Sequence, residues 1–264
     1  MNPFDRISGI FFAGILFVFI SQFAPLARAE VQYSLTPGVR SYPFGGSLEA
    51  SAKYDHLLWD RRDDQTLGAG PRWKYSFAQL RAAAASQGTV EVSASYFPIS
   101  FFEIFAAKSF TDRYFQNSKF DCDVLLCKGR LWREKAGFRL SLGYEYWFGL
   151  LSAVKTRAEQ ADKSRPAYDE VEYLVLNAAG DDLETGIIAL GQKTEHLAVS
   201  LLHRQSRAIQ SGENNQMQAI VIRVMERPEF WTYGLGRYFS SRNDPGLTFF
   251  FAYQINFGES LALQ

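Results

Sequence analysis

Apolar and polar residues alternate with a period of two along much of this chain, most clearly in its last long run, Leu247 to Phe257. Every second residue from Leu247 onward is apolar, and the residues between them are mostly small or polar. Successive side chains of a β-strand point to opposite faces, so this run predicts a strand with one apolar and one more polar face. Its 11 residues match the roughly 9–11 residues that a tilted strand needs to cross a bilayer.

The same alternation recurs upstream, where helical spacing fits less well than a period of two. Clear runs lie at 47–55, 89–96 and 136–149, and weaker ones near 170–178, 183–191, 196–206, 218–226 and 231–239. Gly, Pro, Asn and Asp gather between the runs because they supply the backbone angles that turns require. The pattern gives about 12 to 14 candidate strands, and roughly 20 residues per strand and connection favours 12, an even number. The stretch from Phe115 to Lys135 is the hardest to assign.

These runs predict an all-β fold. We expect a single closed antiparallel transmembrane β-barrel of about 12 strands, within a range of roughly 10–14, over residues 30–264. A soluble periplasmic β-sandwich gives the same alternation and is the alternative architecture. The length of the best strands, and the Tyr and Trp residues near the ends of their apolar faces, favour the barrel.

The N-terminal residues predict a secretory signal peptide over residues 1–29. Arg6 precedes an almost wholly apolar run from Ile7 to Ala24, Pro25 ends that run, and Ala27-Arg28-Ala29 forms an A-x-A cleavage pattern. We expect cleavage after Ala29 and export through the inner membrane. An uncleaved inner-membrane anchor is the alternative, because the apolar run is long for a signal peptide.

Composition narrows the function classes only slightly. Phe, Tyr and Trp make up 16% of the chain, which suits the aromatic girdles of a membrane barrel and also a large sandwich. Without the charges of residues 1–29, 26 basic and 27 acidic residues remain. This balance gives no reason to expect nucleic acid or a polybasic membrane patch.

The last strand also carries a resemblance to a known class of proteins. Tyr253, Ile255 and Phe257, preceded by Phe249 and Phe251, resemble the closing strand of Gram-negative outer-membrane β-barrel proteins. The resemblance implies a place in the bacterial outer membrane, with its lipid and lipopolysaccharide as neighbours. It also implies that the barrel-assembly machinery reads the strand from Phe249 to Phe257. The chain departs from the pattern of this class in one respect, since Gly258 to Gln264 follow the last aromatic residue.

Candidate chemistry is sparse. If the residues between Cys122 and Cys127 make a turn, the two cysteines would form a disulfide, and the oxidising compartment favours that bond. On one extended strand they would lie too far apart for a disulfide. A metal site there has no supporting His, and we expect no metal and no cofactor. His203 and Ser206 fall on opposite strand faces, and His196 and Ser200 are roughly 13 Å apart along a strand. A nucleophile and its base must come within about 3 Å, so a hydrolase would need a cross-strand pair. Without a local nucleophile–His arrangement, the sequence favours a protein that is not an enzyme.

The polar strand faces carry the functional prediction. If the apolar faces meet lipid, charged residues of both signs point into the lumen. These candidates are Glu49, Lys53, Asp55, Arg139, Glu145, Arg204 and Arg223. We expect a small-solute channel whose lumen charges set selectivity for a small polar solute. A plugged, non-conducting barrel with a structural or surface-interaction role is the first alternative, and an outer-membrane lipid-modifying hydrolase is the second.

Overall fold

The computed structural model describes residues 29–41, 44–60, 75–86, 88–113, 124–126, 129–169, 171–241 and 245–258. They form fourteen strands: β1 (Ala29–Ser41), β2 (Phe44–Asp60), β3 (Tyr75–Ala85), β4 (Thr89–Ile99), β5 (Phe102–Arg113), β6 (Gly129–Tyr144), β7 (Trp147–Gln160), β8 (Ala167–Asp169), β9 (Leu174–Leu176), β10 (Asp181–Lys193), β11 (Leu197–Ala208), β12 (Asn214–Glu226), β13 (Glu229–Ser240) and β14 (Gly246–Gly258). Within these described residues, no helix is long and apolar enough to cross a membrane.

Twelve of these strands close into one antiparallel barrel. Going round it, the order is β1, β14, β13, β12, β11, β10, β7, β6, β5, β4, β3 and β2, so that β1 pairs with both β2 and β14. Closure pairs the backbone N–H and C=O groups that an open sheet edge would leave exposed to hydrocarbon. The predicted all-β barrel of about 12 strands is confirmed.

The outer face of the barrel is apolar, as the period-two pattern predicts. On β14, Leu247, Phe249 and Phe257 are exposed, whereas Thr248 and Asn256 on the other face are buried. β1 follows the same rule, with Val31 and Tyr33 outside and Gln32 inside. Apolar side chains on the outside of a closed sheet with polar ones inside are the arrangement that lipid requires.

The end of the barrel that contains Ala29 and Gly258, called here the terminal end, has an outer belt of aromatic residues. Tyr144, Tyr146 and Trp147 are all strongly exposed around the turn between β6 and β7. On β13 and β14, the Trp231 and Tyr253 rings pack with their centroids 4.4 Å apart. Amphipathic rings favour the boundary between lipid and water, so this belt marks one membrane interface.

The opposite end, called here the loop end, extends beyond the apolar band. Outward-facing ion pairs join Lys108 to Glu134 at 2.7 Å and Lys155 to Glu184 at 3.5 Å. Their side chains are between 52% and 82% exposed, and charges are costly on a lipid-facing surface. The hydrocarbon therefore ends below these pairs.

One sequence expectation needs correction here. The weak run at 170–178 is not a barrel strand, because the described residues 161–169 and 171–180 turn inward and contribute only the short antiparallel pair β8 and β9. In the stretch from Phe115 to Lys135, which the pattern assigns least clearly, β6 begins at Gly129. Cys122, Cys127 and residues 1–28 lie outside the described residues, so the disulfide and the signal peptide stay predictions; β1 begins at Ala29.

Close strand packing makes a specific glycine necessary in β13. A Cβ on Gly236 would overlap the carbonyl oxygen of Gln218 and the Cα of Ala219 on β12, whereas a Cβ on Gly186 of β10 would meet nothing within 4 Å. We expect Gly236→Ala to lower the free energy of unfolding by about 1–3 kcal/mol, the usual cost of overpacking. Urea titration of the protein in lipid vesicles, followed by tryptophan fluorescence, measures this. Gly186→Ala is the matched control, and equal stability of the two variants would contradict the packing argument.

Candidate functional site in the barrel lumen

The lumen wall between β2 and β6 carries a chain of ion pairs. Arg81 contacts Glu49 through one guanidinium nitrogen and lies 3.2 Å from Glu91 through another, and Lys135 lies 2.7 Å from Glu91. Four charges on β2, β3, β4 and β6 thus form one line along the inside of the barrel. Partly buried charges require such partners because desolvation is costly.

Polar residues nearer the terminal end continue this inner surface. The buried carboxylate of Asp55 accepts a hydrogen bond from Gln79 Nε2 at 2.7 Å. The buried Glu103 accepts hydrogen bonds from Ser95 Oγ and Arg139 Nη1, both at 2.7 Å. These carboxylates are held in place by neutral or basic neighbours of the wall itself.

At the loop end the lumen is occupied by residues from the connection between β7 and β10, and the described residues 161–169 and 171–180 are called here the inward segment. Leu174 and Leu176 of β9 pack in one buried cluster with Leu131 of β6 and Leu183 of β10. All four leucines are at most 2% exposed. Burial of a leucine contributes roughly 1.5–3 kcal/mol, so apolar contact anchors the segment to the β6, β7, β10 and β11 side of the wall.

A buried ion pair fixes the segment to β6. Arg133 Nε and Nη2 donate to the two oxygens of Asp169 at 2.8 and 2.7 Å, and the side chains are 1% and 0% exposed. The backbone N–H groups of Val171 and Glu172 also donate to Asp169 Oδ1. Burial alone would raise the pKa of the Asp169 carboxyl, but the charge and hydrogen bonds of Arg133 outweigh it and hold the pKa below its usual range. Asp169 is therefore ionised inside the barrel.

A second polar contact joins the segment to β10 and β11. Glu172 Oε2 accepts hydrogen bonds from Arg204 Nη2 at 2.7 Å and from the hydroxyls of Ser206 and Thr185 at 3.1 Å each. Three donors on one carboxylate oxygen satisfy the charge that the segment brings into the lumen. Arg204 is thereby committed to the segment rather than to open lumen water.

The tip of the segment reaches the remaining wall. The guanidinium of Arg40 on β1 lies 3.7 Å from the ring centroid of Tyr173, a cation–π contact. The Tyr173 carbonyl accepts hydrogen bonds from Asn215 of β12 at 3.3 Å and Tyr238 of β13 at 3.5 Å. The inward segment therefore crosses the loop end from β6 to β1.

The terminal half of the lumen contains a large cavity of about 1210 Å³. Its deep wall includes Lys53, Glu103, Arg139 and Arg223, and its outer wall includes turn residues such as Arg227. Small-molecule sites usually occupy about 300–1,000 Å³, so this space exceeds a pocket for one ligand. The barrel is packed at the loop end and open in its terminal half.

The structure places six of the seven predicted lumen residues on the inner face. They are Glu49, Lys53, Asp55, Arg139, Arg204 and Arg223. Glu145 departs from the expectation: it lies exposed in the two-residue turn between β6 and β7, with φ of 49°. The predicted run from Ala136 to Gly149 passes through a hairpin turn at Glu145, where the chain reverses and the alternation of faces ends.

Sequence reasoning missed two basic residues of the inner face, one of which holds the inward segment. Arg133 and Lys135 lie on the inner face of β6, three and two steps of alternation before Arg139, whereas the predicted run begins at Ala136. Extending the alternation to Gly129 would have found both. Nothing in the pattern links Asp169 to Arg133 or Glu172 to Arg204, because these partners are 36 and 32 residues apart.

His203 and Ser206 lie on opposite faces of β11. His203 lies on β11 with its Nδ1 3.4 Å from Gln216 Nε2, while Ser206 points into the lumen and contacts Glu172. In the strand register, His203 faces Ile188 on one side and Gln218 on the other. Its immediate cross-strand neighbours therefore provide no serine nucleophile.

Comparison with known proteins adds likenesses of shape only. No protein-family model matches the chain, and no curated protein matches it by sequence. The β-domain of the Bordetella autotransporter Brka is 10% identical over 88% of this chain and 99% of its own, with a TM-score of 0.41. An outer membrane channel from Pseudomonas putida F1 is 10% identical over 89% and 97%, with a TM-score of 0.43.

The translocator domain of the autotransporter NalP from Neisseria meningitidis is 7% identical over 96% of this chain and 97% of its own, with a TM-score of 0.32. At such scores and identities these likenesses carry no argument about activity. The closed sheet, the apolar outer face and the polar interior of the chain itself make it an outer-membrane type β-barrel.

Proposed function

We propose that this protein is a small-solute channel of the bacterial outer membrane. The observation that carries the proposal is the cavity of about 1210 Å³ inside a lumen lined by charged and polar side chains. A barrel that serves only as a scaffold has no need for such a space, since interior side chains of a small barrel can fill it. Polar walls favour water and hydrophilic solutes in that space.

The inward segment is the constriction of this channel. It contacts β6, β11, β12, β13 and β1 through polar side chains and one cation–π contact, so a passage at the loop end would have to run along the wall of β2 to β4. That wall carries the charges of Glu49, Arg81 and Glu91. A solute would pass close to fixed charges of both signs, which is how a narrow pore acquires selectivity.

The topology supports an orientation in the membrane. At the terminal end, four of the five connections have two or three residues (100–101, 145–146, 194–196 and 227–228), and the fifth, residues 61–74 between β2 and β3, is longer. Short turns face the periplasm in barrels of this class, so the terminal cavity opens to the periplasm. Cleavage of the signal peptide after Ala29, contact with lipopolysaccharide and assembly through the strand Phe249 to Phe257 belong to the same proposal.

A plugged, non-conducting barrel is the second candidate, and one observation favours it. The inward segment is held by buried leucines and by an ion pair whose partners are at most 1% exposed. Such contacts suit a permanent plug as well as a constriction. Conductance decides between the two.

The first prediction from the channel proposal concerns what holds the segment in the lumen. Asp169→Asn leaves Arg133 buried without its counter-charge, and breaking one side of a buried pair costs about 3–5 kcal/mol. We expect hydrogen exchange of the backbone amides of residues 165–180 to become faster, measured by mass spectrometry on the protein in detergent. Asp162→Asn is the matched control, because Asp162 is exposed and its hydrogen bond within the described residues comes from Ser164 of the same loop. Unchanged exchange in Asp169→Asn would show that the pair does not hold the segment.

The second prediction concerns conductance. Replacing residues 162–179 by a short Gly-Ser linker removes the segment while β7 and β10 keep their direct pairing. Because current scales with the open cross-section, we expect discrete single-channel steps in planar bilayers for the native protein and severalfold larger steps for the deletion.

The two results separate the candidates. Steps of equal size in both proteins would show that the segment is not the constriction. Silence of the native protein, with steps in the deletion, would favour the permanent plug. Different migration of boiled and unboiled samples on a gel verifies that each barrel is folded.

A further inference from the structure

Three basic side chains converge on the terminal cavity from evenly spaced strands. Lys53 lies on β2, Arg139 on β6 and Arg223 on β12, and all three line the cavity. In the closed order of the barrel, each of these strands is four strands from the next. Side chains at such positions point towards a common centre from three sides of a twelve-stranded wall.

The cavity contains more positive charge than its own carboxylates neutralise. Its lining includes five basic residues and two acidic ones, Glu103 and Glu195. Glu103 is already bound by Arg139 and Ser95 at 2.7 Å, and Glu195 is exposed in the turn between β10 and β11. Neither carboxylate is placed as a partner of Lys53 or Arg223 among the described ion pairs and hydrogen bonds.

Arg223 is the most distinctive of the three cations. Its guanidinium lies 4.7 Å from the ring centroid of Phe230, and its best hydrogen bond among the described residues is 3.4 Å long, to Gln254. The Nε atom is buried and has no hydrogen-bond partner in this part of the chain. Arg223 also lines the cavity, and a guanidinium that stacks on a ring keeps N–H donors that can bind a carboxylate or another planar anion.

Lys53 provides a second positive charge. It is partly buried and forms no ion pair within the described residues; the carboxylates of Asp55, Glu103 and Glu49 act on it electrostatically from a longer distance. An anion that enters the cavity would give the ammonium group a direct partner. The two cations attract the same class of ligand from different sides.

Aromatic side chains supply the rest of the surface. Phe97, Phe101 and Phe230 line the same cavity, and Phe97 stacks on Phe77 with the ring centroids 4.1 Å apart. A site that combines fixed cations with aromatic walls fits an anion that carries an apolar group.

We infer that the terminal cavity is a binding site for small organic anions, with Lys53, Arg139 and Arg223 directed at the anionic group and the aromatic wall at its apolar part. This inference rests on the proposed channel function only for its biological use, because it names the class of solute that the channel would take. Binding itself requires no transport and can be measured separately.

The test is isothermal titration calorimetry of the purified full-length protein in a zwitterionic detergent at low salt. The probes are benzoate, its neutral counterpart benzamide, and acetate, which has the charge without the ring. We expect benzoate to bind more tightly than either, and added salt to weaken it. Arg223→Gln should weaken benzoate about tenfold or more, as expected for loss of a charge-assisted contact.

Two further variants keep the test decisive. Lys53→Gln should also weaken benzoate, and it replaces Arg223→Gln if that variant does not fold. Arg207→Gln is the matched control, because Arg207 is exposed on β11 outside the cavity lining and its loss changes the net charge equally. Benzamide binding as tightly as benzoate, or equal weakening by all three substitutions, would overturn the anion site. Acetate binding as tightly as benzoate would overturn the role of the aromatic wall.

The binding and conductance results can fail independently. Benzoate binding by a protein without conductance steps would reject the channel and leave the anion site in place. Conductance steps from a protein that shows no benzoate binding would reject the anion site and leave the channel in place.

Discussion

Hydrocarbon cannot hydrogen-bond a peptide group, and this constraint determines the rest of the structure. A sheet in a bilayer must have no open edge, so β1 and β14 must pair and the strands must close into a ring. Closure gives every strand an outer face in lipid and an inner face in the lumen. The outer face has to be apolar whatever the protein does, and the residues that distinguish this barrel from another are therefore those on its inner face.

The inner face solves two different problems in its two halves. At the loop end, apolar residues such as Leu131 and Leu183 replace polar ones on the wall, and the inward segment covers them with Leu174 and Leu176. The charges there are matched in pairs, as between Arg133 and Asp169. In the terminal half, the wall stays polar and the space stays open. The segment thus packs like a protein core, whereas the cavity beneath it is lined like a binding site.

The alternation of apolar and polar residues predicts most of the fold, because lipid requires an apolar outer face on every strand. It placed Arg139 and Arg223 inside and Leu247 and Phe249 outside. It failed where lipid exerts no control: at the turn residue Glu145, and in residues 170–178, whose Leu174-Val175-Leu176 run is buried on all sides. Contacts inside the lumen depend on which residues meet across the barrel, and neither spacing nor composition contains that information.

The distribution of charge follows from the two halves of the lumen. Where the inward segment excludes water, an unmatched charge would be prohibitively costly, so Asp169 and Glu172 each meet an arginine. Where the lumen is wide, water can hydrate a cation, and Lys53 and Arg223 can stay without a fixed counter-ion. Surplus positive charge therefore lies in the open half of the lumen, where five basic and two acidic residues line the cavity. The inward segment, by pairing the charges that it covers, concentrates the surplus charge in the other half.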